Sequence, residues 1–254
     1  MVRLAAVALL AVAGAVALVV GLGSGAGRTA HARHPRRAGA ARRRTAEVVR
    51  LGKSAEGRPI DALHMGSASR ADLLVVGCVH GDEPAGIAVT RALRRTLAAR
   101  VPIDAWLIDD LNPDGRAAHT RVNGRGVDLN RNFPWRWRQL FRRGDPQYGG
   151  PRPLSEPESR AAARLIRRVR PRISIWFHQP LRVVDRSGGS VDVERRFSRL
   201  SGLPLRRLTR YPGSAVSWED HVLRDSTAFV VELPPGRLTR SAASRLARAV
   251  AKLS

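Results

Sequence analysis

The chain has 254 residues but only one cysteine, Cys78. An internal disulfide and a four-cysteine metal site are therefore both excluded. Cys78 lies inside the apolar run 73–79, where burial favours a structural thiol over a nucleophile. The sequence also has no internal repeat, no helix-turn-helix pattern and no basic motif interleaved with aromatic residues. It therefore predicts no specific recognition of nucleic acid.

Acidic residues are scarce, because 21 Asp and Glu stand against 45 Lys and Arg and give a formal net charge of +24. Some of the arginines form runs, such as Arg42–Arg44. Such a surface attracts anions, among them nucleic acid, acidic lipid, anionic envelope polymers and acidic peptides. Charge alone does not distinguish among these partners. Anionic envelope polymers are one possible class of partner.

The N-terminus has the features of a targeting segment. Arg3 precedes an uncharged apolar run over residues 4–22, and Ala30-His31-Ala32 is similar to a signal-peptidase cleavage site. The run is also long enough to span a bilayer. We predict that residues 1–32 are a signal peptide or membrane anchor and that residues 33–46 are a basic, flexible linker. The protein is then exported, either to the extracellular or periplasmic side or as a membrane-anchored protein facing outward.

Apolar runs of strand length alternate with helical patterns along residues 47–254, which we predict to form one catalytic domain. The predicted strands cover residues 48–52, 59–63, 72–79, 104–111, 173–177 and 227–233, and the predicted helices cover 84–99, 156–169 and 239–254. Ser155 and Glu158 have capping-box spacing at the start of the second helix. Residues 112–133 read as a long polar loop. This order predicts an α/β fold with a mixed, largely parallel twisted sheet flanked by helices.

Four polar residues fall at or next to the ends of predicted strands: His80, Asn112, His178 and Glu232. Ligands bind α/β sheets just beyond the carboxyl ends of the strands. His80 and Glu83 lie three residues apart in a turn that contains Gly81, and zinc accepts both residue types. The sequence therefore predicts one catalytic Zn²⁺ with three protein ligands.

Each of these residues also has a purely structural interpretation. His80 can be a turn histidine, with Glu83 favouring a helix N-terminus. His178 can be a strand-end histidine that bonds only to the backbone, in which case His221 competes as a ligand. Glu232 can be an ion-paired core carboxylate instead of the group that handles the proton of the attacking water.

Several motifs together resemble those of zinc carboxypeptidases, and the likeness covers residues 47–254. They are residues 76–83, 112–115, 120–123, 126–134 and 155–158, then His178, then 231–233, in the family's order. The closest similarity is to the short bacterial branch that includes murein peptide amidases. The resemblance implies that His80, Glu83 and His178 bind the zinc. It also implies that Glu232 is the general base and acid that activates the water and protonates the leaving amine.

The same resemblance implies roles for residues in the polar loop. Asn130 and Arg131 are similar to the pair that holds the terminal carboxylate of the substrate, and an arginine fork matches a carboxylate. Asp128 is similar to the carboxylate that orients a ligand histidine, with an Asx-turn residue as the alternative. Arg121 is our choice for the arginine that stabilises the oxyanion. Arg116 and Arg125 stay open for that role.

The resemblance extends to the region of the side-chain pocket. Tyr211 is similar to the mobile tyrosine that covers the substrate, with a structural aromatic as the alternative. Residues 213–218 are expected to line the pocket. They contain no Asp, which disfavours a simple Lys/Arg carboxypeptidase.

We predict from this a monomeric zinc metallocarboxypeptidase or amidase that cleaves a peptide bond next to a residue with a free carboxylate. The resemblance implies cell-wall stem peptides as substrates, cut between D-glutamate and diaminopimelate. Two alternatives stay open. One is an N-acyl amino acid deacylase of the aspartoacylase or desuccinylase type with the same zinc ligands. The other is a non-catalytic domain that binds polyanions, with a salt-sensitive affinity.

Overall fold

The computed structural model describes residues 46–99 and 103–253. The strands are β1 Ala46–Lys53, β2 Pro59–Met65, β3 Leu73–Val76, β4 Ala105–Ile108, β5 Ile173–His178, β6 Val183–Asp185, β7 Leu205–Arg206 and β8 Thr227–Glu232. The helices are α1 Gly86–Ala98, α2 Pro113–Ala118, α3 Pro157–Val169, α4 Val191–Ser201, α5 Ala215–Val222 and α6 Arg240–Ala251, with a 3₁₀ turn at Leu129–Arg131.

The strands form one sheet in the order β1-β2-β4-β3-β5-β8-β6-β7. The central strands β4, β3, β5 and β8 are parallel to one another. Antiparallel pairing joins β1 to β2, β2 to β4 and β6 to β8. The predicted mixed, largely parallel sheet with flanking helices is therefore confirmed.

Side chains of the central strands alternate between two hydrophobic cores. On β5, Trp176 belongs to the core beneath α3 and α5, whereas Ile175 and Phe177 belong to the core beneath α1, α4 and α6. A sheet with helices on both faces buries both sides of each strand, which is why these segments are continuous apolar runs in the sequence.

The register of β5 and β8 places two polar side chains next to each other at the carboxyl edge of the sheet. His178 is the Cα partner of Glu232 in this parallel pair. Side chains along a strand alternate between faces, so both residues share the face that carries Trp176 and Val230. The imidazole and the carboxylate therefore lie on the same face of the sheet, at the edge where ligands bind such sheets.

The strands predicted over residues 72–79 and 104–111 are shorter than expected. β3 ends at Val76 and β4 at Ile108. Beyond these points the chain stays buried and bonded, because Gly77 N–H donates to the Ile108 carbonyl and Leu111 N–H to the Cys78 carbonyl, both at 2.8 Å. Beyond β3 and β4, Cys78 and Leu111 are buried and apolar but are not strand residues. The apolar pattern therefore could not show where the two strands end. Cys78 is fully buried, and burial raises the pKa of its thiol.

Two predictions about the loops need correction. The segment 112–133 is not all loop, because Asn112 caps α2 by accepting a 3.0 Å hydrogen bond from Gly115 N–H, with Pro113 in the first turn. The predicted capping box does not form. The N-cap of α3 is Glu156, and the Ser155 hydroxyl donates to Glu156 at 2.7 Å instead of capping the helix.

Besides α2, four elements were not predicted from the sequence: β6, β7, α4 and α5. The two strands have only three and two residues. Helix α4 is mostly polar, with only Glu194, Phe197 and Ser201 buried. Short strands and a helix with one buried aromatic give almost no periodic signal.

The described residues contain no helix that is long and apolar enough to cross a membrane. The predicted signal peptide or anchor at 1–32, and residues 33–45 of the predicted linker, lie outside them. β1 begins at Ala46, the last residue that we assigned to the linker.

A buried carboxyl group on α5 makes the stability of the domain depend on pH. Glu219 is fully buried and accepts hydrogen bonds from the Ser174 hydroxyl and, at 3.3 Å, from the Trp176 indole N–H. Burial raises the pKa of Glu219 from 4.5 to about 8. The folded state therefore keeps a proton that the unfolded state releases above about pH 4.5.

We expect Glu219→Gln to remove this dependence, because glutamine resembles the neutral acid. The raised pKa contributes stability that is complete below pH 4.5 and is lost as the pH rises to about 8. Above pH 8 the variant should therefore be more stable than the wild type by up to about 5 kcal/mol. Chemical denaturation from pH 5 to pH 9 measures this, with Glu47→Gln as the exposed control. Parallel pH profiles of wild type and Glu219→Gln would contradict the assignment.

Candidate active site

The turn that follows β3 brings His80 and Glu83 to the edge of the sheet. Glu83 N–H donates to the His80 carbonyl at 3.0 Å and closes the turn. Gly81 packs against the backbone of α2, where an added Cβ would lie 1.9 Å from the carbonyl carbon of Gly115. Only glycine fits this close approach, so the turn is held between the sheet and α2.

Three donor atoms form a compact triangle at this point. His178 Nδ1 lies 3.1 Å from His80 Nδ1 and 2.9 Å from Glu83 Oε2, and His80 Nδ1 lies 3.1 Å from Glu83 Oε2. Zinc bonds of about 2.0–2.1 Å in a tetrahedral site place ligand atoms roughly 3.3 Å apart. In the described part of the chain, these three residues are the one group of three or more His, Cys, Asp or Glu side chains that could hold a metal ion. Two nitrogens and one carboxylate oxygen at this spacing fit zinc.

Asp128 fixes the orientation of the His80 ring. Asp128 is fully buried, and its Oδ1 lies 2.9 Å from His80 Nε2. When Nε2 carries the proton and donates it to Asp128, Nδ1 is left with its lone pair facing the triangle, as a metal ligand requires. The second oxygen, Oδ2, accepts a 3.0 Å hydrogen bond from Arg121. Asp128 thus connects the polar loop to the predicted ligand.

The electrostatics of the triangle favour a cation. Burial alone would raise the pKa of Glu83 and Asp128, but the adjacent histidines outweigh it and the pKa of each carboxyl is lowered. For His80, burial lowers the pKa, but the negative charges of Asp128 and Glu83 raise it by more. The net shift of the His80 pKa is therefore upward. Two ionised carboxylates beside two imidazoles therefore create a site that attracts positive charge.

Arg121 is the one of the three candidate arginines that lines the cavity with these side chains. It donates to Glu83 Oε1 at 3.1 Å and to Asp128. Arg116 pairs with Asp110 and lines a different cavity. Arg125 is half exposed, and its nearest carboxylate oxygen, on Glu156, is 3.9 Å away. The geometry thus singles out Arg121 from the alternatives, while its role stays a prediction.

Arg131 lines the cavity and contains a buried donor without a partner. Its side chain is buried and its guanidinium donates to the Asn130 carbonyl and to Gln147, both at 2.9 Å. Its Nε has no hydrogen-bond partner. A buried donor without a partner is costly, and the guanidinium as a whole offers a planar fork that matches a carboxylate. Burial lowers the pKa of the Arg131 guanidinium, so a negative partner is favoured for this reason too.

Asn130 and Tyr211 lie beside Arg131. The Tyr211 ring packs 4.2 Å from the guanidinium carbon of Arg131, a cation–π contact. The Asn130 side-chain oxygen accepts a 2.9 Å hydrogen bond from Ala215 N–H and holds the start of α5. Both side chains line the cavity of the triangle.

Glu232 completes the cavity wall on the side of β8. It is partly buried, and burial raises the pKa of its carboxyl. Among the described residues it accepts one weak hydrogen bond, because Leu181 N–H lies 3.4 Å from Oε2. The carboxylate is therefore neither an ion-paired core group nor tightly bonded.

All of the sequence-predicted site residues except Asp128 line one cavity of about 390 Å³. Residues that share this cavity are His80, Glu83, Arg121, Asn130, Arg131, His178, Tyr211 and Glu232. A larger cavity, of about 890 Å³, opens near Asp82 and Arg116 but contains none of these eight side chains. The larger cavity is therefore not the one that contains the predicted site residues.

The predicted side-chain pocket is only partly correct. Ser214 and Val216 line the cavity, but Trp218 is buried in the core, 5.3 Å from Phe133 between ring centres. The segment forms the start of helix α5, so its residues face different sides of the helix. Some of them line the cavity, whereas Trp218 faces the core. An acidic residue is also present after all, since Asp185 at the end of β6 lines the cavity, paired with Arg210. Neither residue gave a signal in the sequence.

The spare histidine His221 does not approach the triangle. Its ring stacks on Trp135 with ring centres 3.3 Å apart. His178, in contrast, contacts both His80 and Glu83. His221 therefore does not replace His178 at this site.

Comparison with known proteins agrees with this geometry. The profile of the zinc carboxypeptidase family matches residues 37–184. The murein peptide amidase A of Escherichia coli K12 is 32% identical over 180 residues, which are 66% of this chain and 74% of that protein. The murein peptide amidase A of Vibrio campbellii is 32% identical over 197 residues, 72% of this chain and 78% of the relative.

Solved structures share the fold. The crystal structure of the murein-tripeptide amidase of Escherichia coli O157 aligns with a TM-score of 0.64 and 27% identity, over 81% of this chain and 91% of that one. Carboxypeptidase A of Helicoverpa armigera aligns with a TM-score of 0.70 and 19% identity, over 83% and 68% of the two chains, which shows the fold alone. The chain therefore belongs to the zinc carboxypeptidase family and is a hydrolytic metallopeptidase or amidase.

Proposed function

We propose that the protein is a zinc-dependent amidase of cell-wall stem peptides, cutting the bond between D-glutamate and diaminopimelate. The observation that carries the proposal is the triangle of His80, Glu83 and His178, with edges of 2.9–3.1 Å, in one cavity with Glu232 and Arg131. The substrate class follows from the murein peptide amidases to which the chain is 32% identical.

His80, Glu83 and His178 hold the zinc in this proposal, and Asp128 orients His80. Zinc bound there supplies a Lewis acid that polarises the scissile carbonyl and makes water acidic enough to react near neutral pH. The donor set supports zinc, because two imidazoles and one carboxylate form a common catalytic zinc site that leaves a fourth position open.

Glu232 moves the proton. Its carboxylate takes a proton from the attacking water and delivers it to the leaving amine nitrogen, so that the amide and water become a carboxylic acid and an amine. The raised pKa of Glu232 suits this role, because a higher pKa makes the carboxylate a stronger base toward the attacking water.

Two arginines act on opposite sides of the scissile bond in this proposal. Arg131, with Asn130, binds the free carboxylate of the residue that leaves as the amine, and the place of both side chains in the cavity wall supports this. Arg121 donates to the carbonyl oxygen as it becomes negative. Positioning by Arg131 explains why the bond that is cut lies next to a free carboxylate.

We also propose that the reaction takes place outside the cytoplasm. The apolar run 4–22 and the Ala30-His31-Ala32 sequence support export. Cell-wall peptides are found there, and their several carboxylates suit a chain with a formal charge of +24.

A substrate panel tests the proposal. We expect the purified, zinc-loaded protein to hydrolyse L-alanyl-γ-D-glutamyl-diaminopimelate and to release diaminopimelate. Its kcat/KM for ordinary dipeptides and for N-acetyl-aspartate should be at least about 100-fold lower, because neither has the full set of contacts. Product release is measured by liquid chromatography and mass spectrometry. Preferred turnover of N-acetyl-aspartate would support a deacylase instead. Absence of all turnover, with salt-sensitive binding to polyanions, would support a binding domain.

A further inference from the structure

An arginine that the catalytic proposal does not use is held rigidly in the wall of the cavity. Arg210 lies in the segment after β7, and this segment also contributes Leu208, Thr209 and Tyr211 to the lining. Its Nη1 donates to Asp185 Oδ2 at 2.8 Å, and its Nη2 donates to the carbonyl of Arg186. Both bonds anchor the guanidinium to the end of β6.

Asp185 positions this arginine. Its side chain is 5% exposed, and its two oxygens already accept hydrogen bonds from Leu208 N–H at 2.9 Å and the Ser187 hydroxyl at 3.1 Å. With the bond from Arg210, this carboxylate is largely satisfied, so it has little capacity left for a substrate. The guanidinium has five N–H donors, of which these contacts use two, and it is 31% exposed.

Besides Arg121, which donates to Glu83 and Asp128, the cavity therefore contains two separately anchored guanidinium groups, of Arg131 and Arg210. Arg131 is held by the Asn130 carbonyl and Gln147, and Arg210 by the end of β6. A substrate residue with one carboxylate satisfies only one of them. A residue with a carboxylate at each end satisfies both, because each arginine fork matches a carboxylate.

The charge of the Asp185–Arg210 pair also has a consequence. The pair is neutral overall, so it does not attract a lone ammonium group as an unpaired aspartate would. A side chain that ends in both an ammonium and a carboxylate group is likewise neutral. Diaminopimelate has such an end, whereas lysine is the same amino acid without the second carboxylate.

We propose that Arg210, held by Asp185, binds the distal carboxylate of the substrate's leaving residue and selects diaminopimelate over lysine. This inference rests on the proposed function, since it concerns the same cavity. Asp185 acts as a positioning residue, and Arg210 is the group that touches the substrate.

Two tripeptides that differ only in this carboxylate test the inference: L-alanyl-γ-D-glutamyl-diaminopimelate and L-alanyl-γ-D-glutamyl-lysine. We expect the wild type to have a kcat/KM about 10- to 100-fold higher for the first, the usual effect of a charge-assisted bond. In Arg210→Met this ratio should fall to nearly one, chiefly through KM. Arg210→Lys should give an intermediate ratio, because it keeps the charge but loses the fork. Arg207→Met is the control, because Arg207 is exposed and does not line the cavity.

Each outcome has a separate meaning. Equal rates for the two tripeptides in the wild type would overturn the inference but leave the amidase function intact. An unchanged ratio in a folded Arg210→Met, checked by its unfolding temperature, would also overturn it. If Arg210→Met does not fold, the ratio in Arg210→Lys decides. Failure of the wild type to cut either tripeptide would instead overturn the proposed function.

Discussion

Glu232→Gln is expected to lower kcat for the stem-peptide substrate by about 10²- to 10⁴-fold, the usual contribution of a general acid–base group. Glutamine is nearly isosteric with glutamate but can neither take a proton from water nor give one to the leaving amine. Because Glu232 lies outside the ligand triangle, zinc content and KM should change little. Steady-state kinetics and metal analysis of the same preparation measure both effects.

The matched control for this variant is Glu219→Gln, the same substitution at a buried carboxyl that does not line the cavity. It should keep wild-type kcat at pH 7. Loss of zinc in Glu232→Gln would mean that this carboxylate is a ligand, and unchanged turnover would mean that another group moves the proton. Either result would remove Glu232 from the role assigned to it.

His178→Ala is expected to weaken zinc binding by more than about 100-fold, because the loss of a mere outer-sphere partner already costs about 10- to 100-fold. His178 supplies one corner of the triangle, within 3.1 Å of each of the other two ligand atoms. His80 and Glu83 alone leave two positions to solvent. Titration with zinc against a competing chelator measures the affinity, and activity should fall with metal occupancy.

His221→Ala is the control for this change, since His221 stacks on Trp135 away from the triangle. It should retain the zinc affinity of the wild type. If His221→Ala lost zinc and His178→Ala did not, the ligand set derived from the geometry would be wrong. The two histidines would then exchange the roles given to them here.

The triangle of His80, Glu83 and His178 was predictable in part from sequence, for a topological reason. Parallel neighbouring strands end at the same edge of a sheet, so His178 and Glu232, each at the end of an apolar run, had to lie close together. His80 follows β3, which pairs with β5 in the same direction. The strand pattern and the chemistry of the residues indicated this set, and the resemblance to zinc carboxypeptidases favoured it over the structural alternatives. The strand ends themselves were misplaced by up to three residues.

The cavity wall was less predictable, because loops and short elements form it. Arg116, Arg121 and Arg125 lie within ten residues in sequence, and only the fold of the loop around Asp128 brings Arg121 to Glu83. Asp185 and Arg210 meet because two strands of three and two residues pair, and such strands leave no periodic pattern. Long-range contacts of this kind depend on tertiary packing.

In the proposed function, His80, Glu83 and His178 bind one zinc ion. The most direct test of this assignment is the zinc content of dialysed protein, measured by inductively coupled plasma mass spectrometry on the wild type and on His178→Ala. We expect about one zinc per chain in the wild type and almost none in the variant. A wild type without zinc after loading, or a variant that keeps a full equivalent, would contradict the assignment.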